Sequence, residues 1–204
     1  MSIKVVIFDL GGVLVRTEDK GPRSALGLRF DKTYTEMDKV VFNKSSYRAS
    51  IGEITAYEHW QYVMRSLDLP DSEIESFYAK FFGGDVVDEN IIDYLRSLRS
   101  EGKYTTALLS NAWDDLRELL INKWHIDDAF DEIFISAEMG VAKPDARIYE
   151  MVLEKLGVAP EECVFVDDFI ENIEAARKLG MHGIHFQNVD VAMAELKELL
   201  GKSA

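Results

Sequence analysis

Short apolar runs alternate with helical patterns along most of this chain, and that alternation restricts its fold more than any other feature. The runs cover residues 3–9, 104–110, 133–136 and 164–167, with a weaker fifth at 183–186. Apolar residues dominate them with little alternation, as expected of strands covered on both faces in a parallel sheet. Helical spacing fills the gaps. Residues 90–101 carry Ile91, Tyr94, Leu95 and Leu98; residues 145–156 carry Ile148, Met151, Val152 and Leu156; residues 171–179 carry Ile173, Ala176 and Leu179. Gly102, Gly157 and Gly180 follow these patterns, where a left-handed helix stop is wanted. From Asp88 to the C-terminus the order predicts a βαβ array, an α/β doubly wound parallel sheet.

The stretch from Arg16 to Gly84 breaks this rhythm. It has no convincing strand and is rich in aromatic residues, among them Tyr34, Phe42, Tyr57, Trp60, Phe77 and Phe82. Ile54, Tyr57, Met64 and Leu67 have helix-like spacing. The expected organisation is a core formed by residues 1–15 and 85–204, with a helical module inserted at 16–84. Gly83-Gly84 would be the return hinge.

Composition narrows the functional classes. The chain has 204 residues, 47% of them apolar, enough for a packed core. Its 23 Lys+Arg against 37 Asp+Glu leave a net charge of −14, which argues against nucleic acid and anionic membranes as partners. An anionic substrate would need a local positive site. No segment approaches the roughly 20 apolar residues that span a bilayer. Lys4 interrupts the apolar start, so no signal peptide is expected. A single cysteine, Cys163, precludes an intramolecular disulfide and fits a reducing cytoplasm.

Ligands of open parallel sheets bind beyond the carboxyl ends of the strands. Those ends carry Asp9, then Ser110-Asn111, then Asp167-Asp168, with Lys143-Pro144 preceding the helical pattern at 145. Each is ordinary alone, since Asp and Asn often cap helices. In this order and context they resemble the motifs of the haloacid dehalogenase-like hydrolase superfamily. The resemblance rests on Phe8-Asp9-Leu10-Gly11-Gly12-Val13-Leu14, Leu109-Ser110-Asn111, Lys143-Pro144, and Val166-Asp167-Asp168 followed by Asn172-Ile173-Glu174. It covers nearly the whole chain, and the insert looks like the helical cap of the first subclass on a Rossmann-like core.

The resemblance implies roles. Asp9 would be the nucleophile, forming an aspartyl intermediate. Ser110, the Asn111 backbone and Lys143 would hold phosphoryl oxygens, and Lys143 would also keep Asp9 ionised. Asp9, the Gly11 carbonyl and Asp168 would bind Mg²⁺, with Asp167 assisting directly or through water. The implied reaction is Mg²⁺-dependent hydrolysis of a small phosphorylated metabolite, sugar phosphates among the candidates, by a monomer or homodimer. A 2-haloacid dehalogenase and a phosphate-binding regulatory protein are the alternatives. Dehalogenases look like Ser-Asn where this chain has Asp167-Asp168, which favours the phosphatase.

The chain departs from the superfamily's phosphatases at Gly11, where they usually carry an aspartate acid/base. Glycine keeps the carbonyl and loses a group that contributes about 10²–10⁴-fold to rate. Glu18, Asp19 and His59 are candidate replacements from the cap. Trp113 and Arg48 are candidate pocket residues by location. Cys163 is expected in the core, His182 and His185 do not form a metal pair, and the acidic run at 127–132 is expected to be a solvated turn.

Overall fold

The computed structural model describes residues 2–202. Five parallel strands form the central sheet in the order β5-β4-β1-β6-β7, where β1 is Val5–Phe8, β4 Thr105–Ser110, β5 Glu132–Ile135, β6 Cys163–Asp167 and β7 His182–His185. All five expected strands are present, each within two residues of its expected ends. The chain runs from the central β1 outward to β4 and β5, then returns to β6 and β7 on the other side. That reversal opens a crevice at the carboxyl ends of β1, β4 and β6.

Alternation along β1 explains the two-sided burial. Val6 and Phe8 join one core with α6 (Glu89–Glu101) and α11 (Val189–Leu199), through Ile91, Leu95 and Leu196. Val5 and Ile7 join a second core with α9 (Ala146–Leu156) and α10 (Ile170–Lys178), through Tyr149, Val152 and Ile173. Both cores are built almost wholly of apolar side chains, which is why both faces of the sheet read as apolar. Gly102 and Gly157 cap α6 and α9 in the left-handed conformation (φ 64° and 65°). Asp145 is the N-cap of α9 rather than its first residue.

Five helices lie between the two halves of the sheet sequence: α1 (Gly21–Leu28), α2 (Tyr34–Val41), α3 (Lys44–Ser50), α4 (Ala56–Ser66) and α5 (Ile74–Phe81). They enclose their own core of Leu26, Met37, Val41, Trp60, Val63, Met64, Phe77 and Phe81. Thr33 and Thr55 start α2 and α4 with reciprocal capping boxes to Glu36 and Glu58. The buried stripe of α4 runs through Ala56, His59, Trp60, Val63 and Met64, whereas Tyr57 is 58% exposed. The expected stripe was therefore offset, because Trp60 fills the core that Tyr57 was expected to reach.

The region 16–84 is not free of strand. β2 (Val15–Thr17) pairs antiparallel with β3 (Asp85–Val87) to form a two-stranded ribbon at the junction. Three residues carry too short a pattern to reveal a strand whose partner lies so far along the chain. Gly84 sits where the two connections cross. A Cβ there would collide with the Asp19 carbonyl oxygen, and the Glu18 and Asp19 amides both donate to Gly84 O at 3.0 and 3.2 Å. The return is pinned by backbone hydrogen bonds. The acidic run also differs from expectation. Asp128 and Asp131 accept from Arg96 and Arg99 of α6, and Asp131 accepts the Thr106 amide near the start of β4.

The remaining short elements are α7 (Leu116–Glu118), which passes into a π-helical turn at Leu119–Trp124, and α8 (Ser136–Met139). No helix among the described residues is long and apolar enough to cross a membrane.

Candidate active site

The sheet brings Asp9, Asp167 and Asp168 together. The Asp9 amide donates to Val166 O at 2.9 Å, extending the β1–β6 ladder by one step and fixing Asp9 beside the end of β6. Carboxylate oxygens of the three aspartates lie within 4.8 Å of one another. Gly12 makes this proximity possible: its φ is +76°, and a Cβ would strike Asp168 Oδ2.

One cation stands among them. Lys143 is 5% exposed, and its ammonium donates to Asp9 Oδ1 at 2.8 Å, Asp167 Oδ2 at 2.7 Å and the Leu109 carbonyl at 2.8 Å. All three protons are thus engaged. Burial opposes its charge, but the adjoining Asp9 and Asp167 carboxylates outweigh that and raise its pKa. The backbone of Lys143 is held by Asn111, whose side chain accepts the Lys143 amide and donates to the Lys143 carbonyl, both at 2.8 Å. The expectation for Asn111 concerned its backbone. Its side chain has a separate part, clamping the lysine loop to the end of β4.

Asp167 is fully buried. It accepts Lys143, the Asn172 amide group at 3.0 Å on each oxygen, and the Phe169 N–H at 2.8 Å. Both of its oxygens are committed to positioning neighbours, so it suits orientation of Lys143 better than direct contact with an ion. Asn172, 7% exposed, is the positioning residue whose part in the site sequence reading left unspecified. Its signal was an amide in the first turn of the helix after two aspartates.

Asp9 and Asp168 are held differently. Burial raises Asp9, Lys143 lowers it and Asp167 raises it again, which leaves it pushed up to about 7. Burial and the charge of Asp167 push Asp168 up to about 6. Asp168 Oδ1 is buried without a hydrogen-bond partner among the described residues. Three carboxylates against one ammonium, with an orphaned buried oxygen, form a donor set suited to a small hard cation. Of the residues expected to bind Mg²⁺, Asp9 and Asp168 therefore fit such an ion, whereas the oxygens of Asp167 are already taken.

These groups line one end of a cavity of about 990 Å³. Gly11, Ser110 and Asn111 line it as well. Open space surrounds the position a Gly11 Cβ would take, so the missing side chain leaves room rather than a packed substitute. The proposed stand-ins do not fill it. Glu18 pairs with Arg16 at 3.1 Å, and Asp19 accepts the Gly21 amide; neither lines the cavity. His59 is fully buried against Trp60 and Trp113, bonds Ser45 Oγ through Nδ1, and is held neutral, its pKa lowered to about 4 by burial. Asp115, which sequence reading passed over, does line the cavity, and burial and Asp114 raise it to about 6.

Trp113 lines the cavity as expected and donates from Nε1 to the Ser46 carbonyl at 3.3 Å. Arg48 does not line it; its guanidinium pairs with Glu53 at 3.1 Å. Cys163 is fully buried in the sheet core, its thiol pushed up to about 12 by burial, which leaves it unreactive. His185 Nε2 lies 3.0 Å from the Asp168 carbonyl and His182 is exposed, so the two serve no common site.

A buried carboxylate–lysine cluster at the switch point of a parallel sheet, beneath an inserted helical module, defines a class of α/β hydrolases. The chain belongs to the haloacid dehalogenase-like hydrolases, whose family model matches residues 3–180. Among its relatives is a sesquiterpene phosphatase of Aspergillus oryzae, 29% identical over 201 residues and 98% of each protein. The D-ribitol-5-phosphate phosphatase of Bacteroides thetaiotaomicron is 27% identical over 195 residues, 91% of this chain and 93% of that protein. A haloacid dehalogenase family enzyme from the same bacterium, solved with magnesium and inorganic phosphate, superposes with a TM-score of 0.73. It is 26% identical, with 89% of this chain and 93% of that one covered.

Proposed function

We propose that this hydrolase is a Mg²⁺-dependent phosphatase of small phosphorylated metabolites, with Asp9 as its nucleophile. The observation that carries the reading is the orphaned, buried Oδ1 of Asp168, whose carboxylate joins those of Asp9 and Asp167 in a cluster within 4.8 Å that a single lysine leaves under-neutralised. A dehalogenase, attacking a carbon centre without a metal, would have no use for that arrangement. Two relatives named as phosphatases and a neighbour solved with magnesium and phosphate support the same reading.

In this reading an Asp9 oxygen forms a bond to phosphorus while the ester oxygen leaves with the bonding pair and takes a proton from solvent. Water then attacks phosphorus, the bond to Asp9 breaks, and the carboxylate and inorganic phosphate are restored. Asp9, Asp168 and the Gly11 carbonyl hold the ion, which when bound offsets phosphoryl charge. Lys143 keeps Asp9 oriented, and Ser110 and the Asn111 amide face the phosphoryl oxygens. With glycine at position 11, esters with good leaving groups react fastest. Residues 16–84 act as a cap that excludes water from the site formed by residues 1–15 and 85–204.

The test is phosphate release from acyl, aryl and sugar phosphates with Mg²⁺. Release that falls at least ~10³-fold in Asp9→Asn supports the phosphatase. Turnover of chloroacetate in place of every phosphate ester contradicts it.

A further inference from the structure

One end of the cavity holds the aspartate cluster; the rest is mainly aromatic. Away from the carboxylates it is walled by Phe42, Tyr47, Tyr78, Phe82, Trp113 and Trp124. Phe42 and Tyr47, from the inserted helices and their connections, are 54% and 60% exposed, so the aromatic wall stands open to an incoming molecule. At about 990 Å³ the cavity lies at the top of the range that encloses drug-sized ligands, far more than a phosphoryl group fills.

Several polar side chains reach this half, and apart from Asp115 those that could bind a hydroxyl or an anion are largely paired. Arg16 donates to Asp88 at 2.8 Å and to the Val13 carbonyl at 2.7 Å. Arg23 donates to Asp38 at 2.8 Å and to the Phe81 carbonyl at 3.0 Å, with its guanidinium 4.0 Å from the Phe81 ring centroid. Asn43 donates to the Val40 carbonyl and accepts the Ser45 amide. Trp113 Nε1 is taken by Ser46. A polyol buried here would lose water from its hydroxyls and find few replacements. A second phosphate would meet two arginines already neutralised by carboxylates and the uncompensated carboxyl of Asp115.

We infer that the substrate is the monophosphate ester of a bulky, apolar, terpenoid-sized alcohol, its phosphoryl group at Asp9 and its hydrocarbon chain along the aromatic wall. This rests on the phosphatase reading and specifies the alcohol. Each methylene buried against the wall strengthens binding about fourfold. The open space at Gly11 serves the same end, because it lets the first carbons of the chain pass close to Asp9 without meeting a carboxylate.

The experiment compares phosphate release with Mg²⁺ from acetyl phosphate, glucose 6-phosphate, ribitol 5-phosphate, geranyl monophosphate and farnesyl monophosphate, the lipids below their micelle-forming concentrations. The expected kcat/KM for farnesyl monophosphate exceeds that of either polyol phosphate by at least ~100-fold, mostly through KM. In Phe42→Ser the ratio of farnesyl to acetyl phosphate kcat/KM falls by at least ~10-fold. Tyr47→Ser provides the same reading if the first variant fails to fold. Preference for a polyol phosphate, or an unchanged ratio in the folded variants, overturns the apolar substrate and leaves the phosphatase standing. Absence of phosphate release from all five overturns the phosphatase reading itself.

Discussion

The two ends of the cavity are built on opposite electrostatic plans. At the sheet end Asp9, Asp167 and Asp168 crowd around one lysine, and two of the three carboxyls are pushed well above their ordinary range. Beneath the helical module most polar groups are paired, Asp115 excepted, and His59 is held uncharged against two indoles, Trp60 and Trp113. One end stores unfavourable charge, whereas at the other the arginines are matched by carboxylates and, among the described residues, Asp115 alone is left without a cation. An α/β sheet can sustain the first because backbone positions at its strand tips are rigid. Short helices packed through a small aromatic core could not carry an unpaired buried charge.

The largest way to break that contrast is to remove the cation from the acidic end. Lys143→Met leaves Asp9 and Asp167 facing each other without compensation. Equilibrium urea unfolding should show a loss of about 3–5 kcal/mol, partly regained in the Lys143→Met, Asp167→Asn double variant. An unchanged midpoint would mean the cluster is not under strain.

The contrast also sets the sign of pH dependence. His59 has a folded pKa of about 4 against the ordinary 6.5 of histidine, so the unfolded chain binds its proton first as pH falls. Its contribution is complete above pH 6.5 and is lost progressively towards pH 4, by up to about 3 kcal/mol. Asp9 runs the other way. Its folded value of about 7 against 3.8 means the ion-free protein loses stability as pH rises from about 4 to 7. In His59→Phe the acid-side loss should shrink while the neutral-side loss persists. Stability profiles that coincide with the wild type at pH 4–6 would contradict the buried, neutral histidine.

A smaller effect comes from relieving the acidic end alone. Asp168→Asn should raise ion-free stability at pH 7 by about 1–2 kcal/mol, discounted for partial solvent screening. The same variant should no longer gain melting temperature from Mg²⁺, whereas the wild type does. Smallest is Gly11→Asp. The vacant space there admits the side chain, and turnover of esters with poor leaving groups should rise about 10- to 100-fold, read as kcat on an alkyl phosphate.

The sheet was legible in the sequence because its strands are buried on both faces, and a continuous apolar run bounded by glycine-stopped helices permits few other folds. Asp9, Ser110, Lys143 and Asp167 could be placed at one site because strand ends of a parallel sheet converge. What escaped depends on contacts between distant segments. The β2–β3 ribbon joins residues 15–17 to 85–87, too short on either side to announce itself. The Asn111–Lys143 clamp and the Asn172 bonds to Asp167 are side-chain geometry, which residue type alone does not specify. The α4 stripe was misplaced because Tyr57 and Trp60 both suit an apolar face, and only packing decides between them. Asp115 reads as one carboxylate in a polar turn until the fold turns it towards the cavity.

The most direct test of the account is the chemical state of Asp9 during turnover. Wild-type protein reacting with an aryl phosphate and Mg²⁺ is quenched in acid, and its peptides are weighed by mass spectrometry. The account predicts a phosphoryl group on the peptide carrying Asp9, accumulating because Gly11 offers no base to the second step, and absent from Asp9→Asn. Phosphate release that continues in Asp9→Asn, with no phosphoryl group on Asp9 in the wild type, would contradict it.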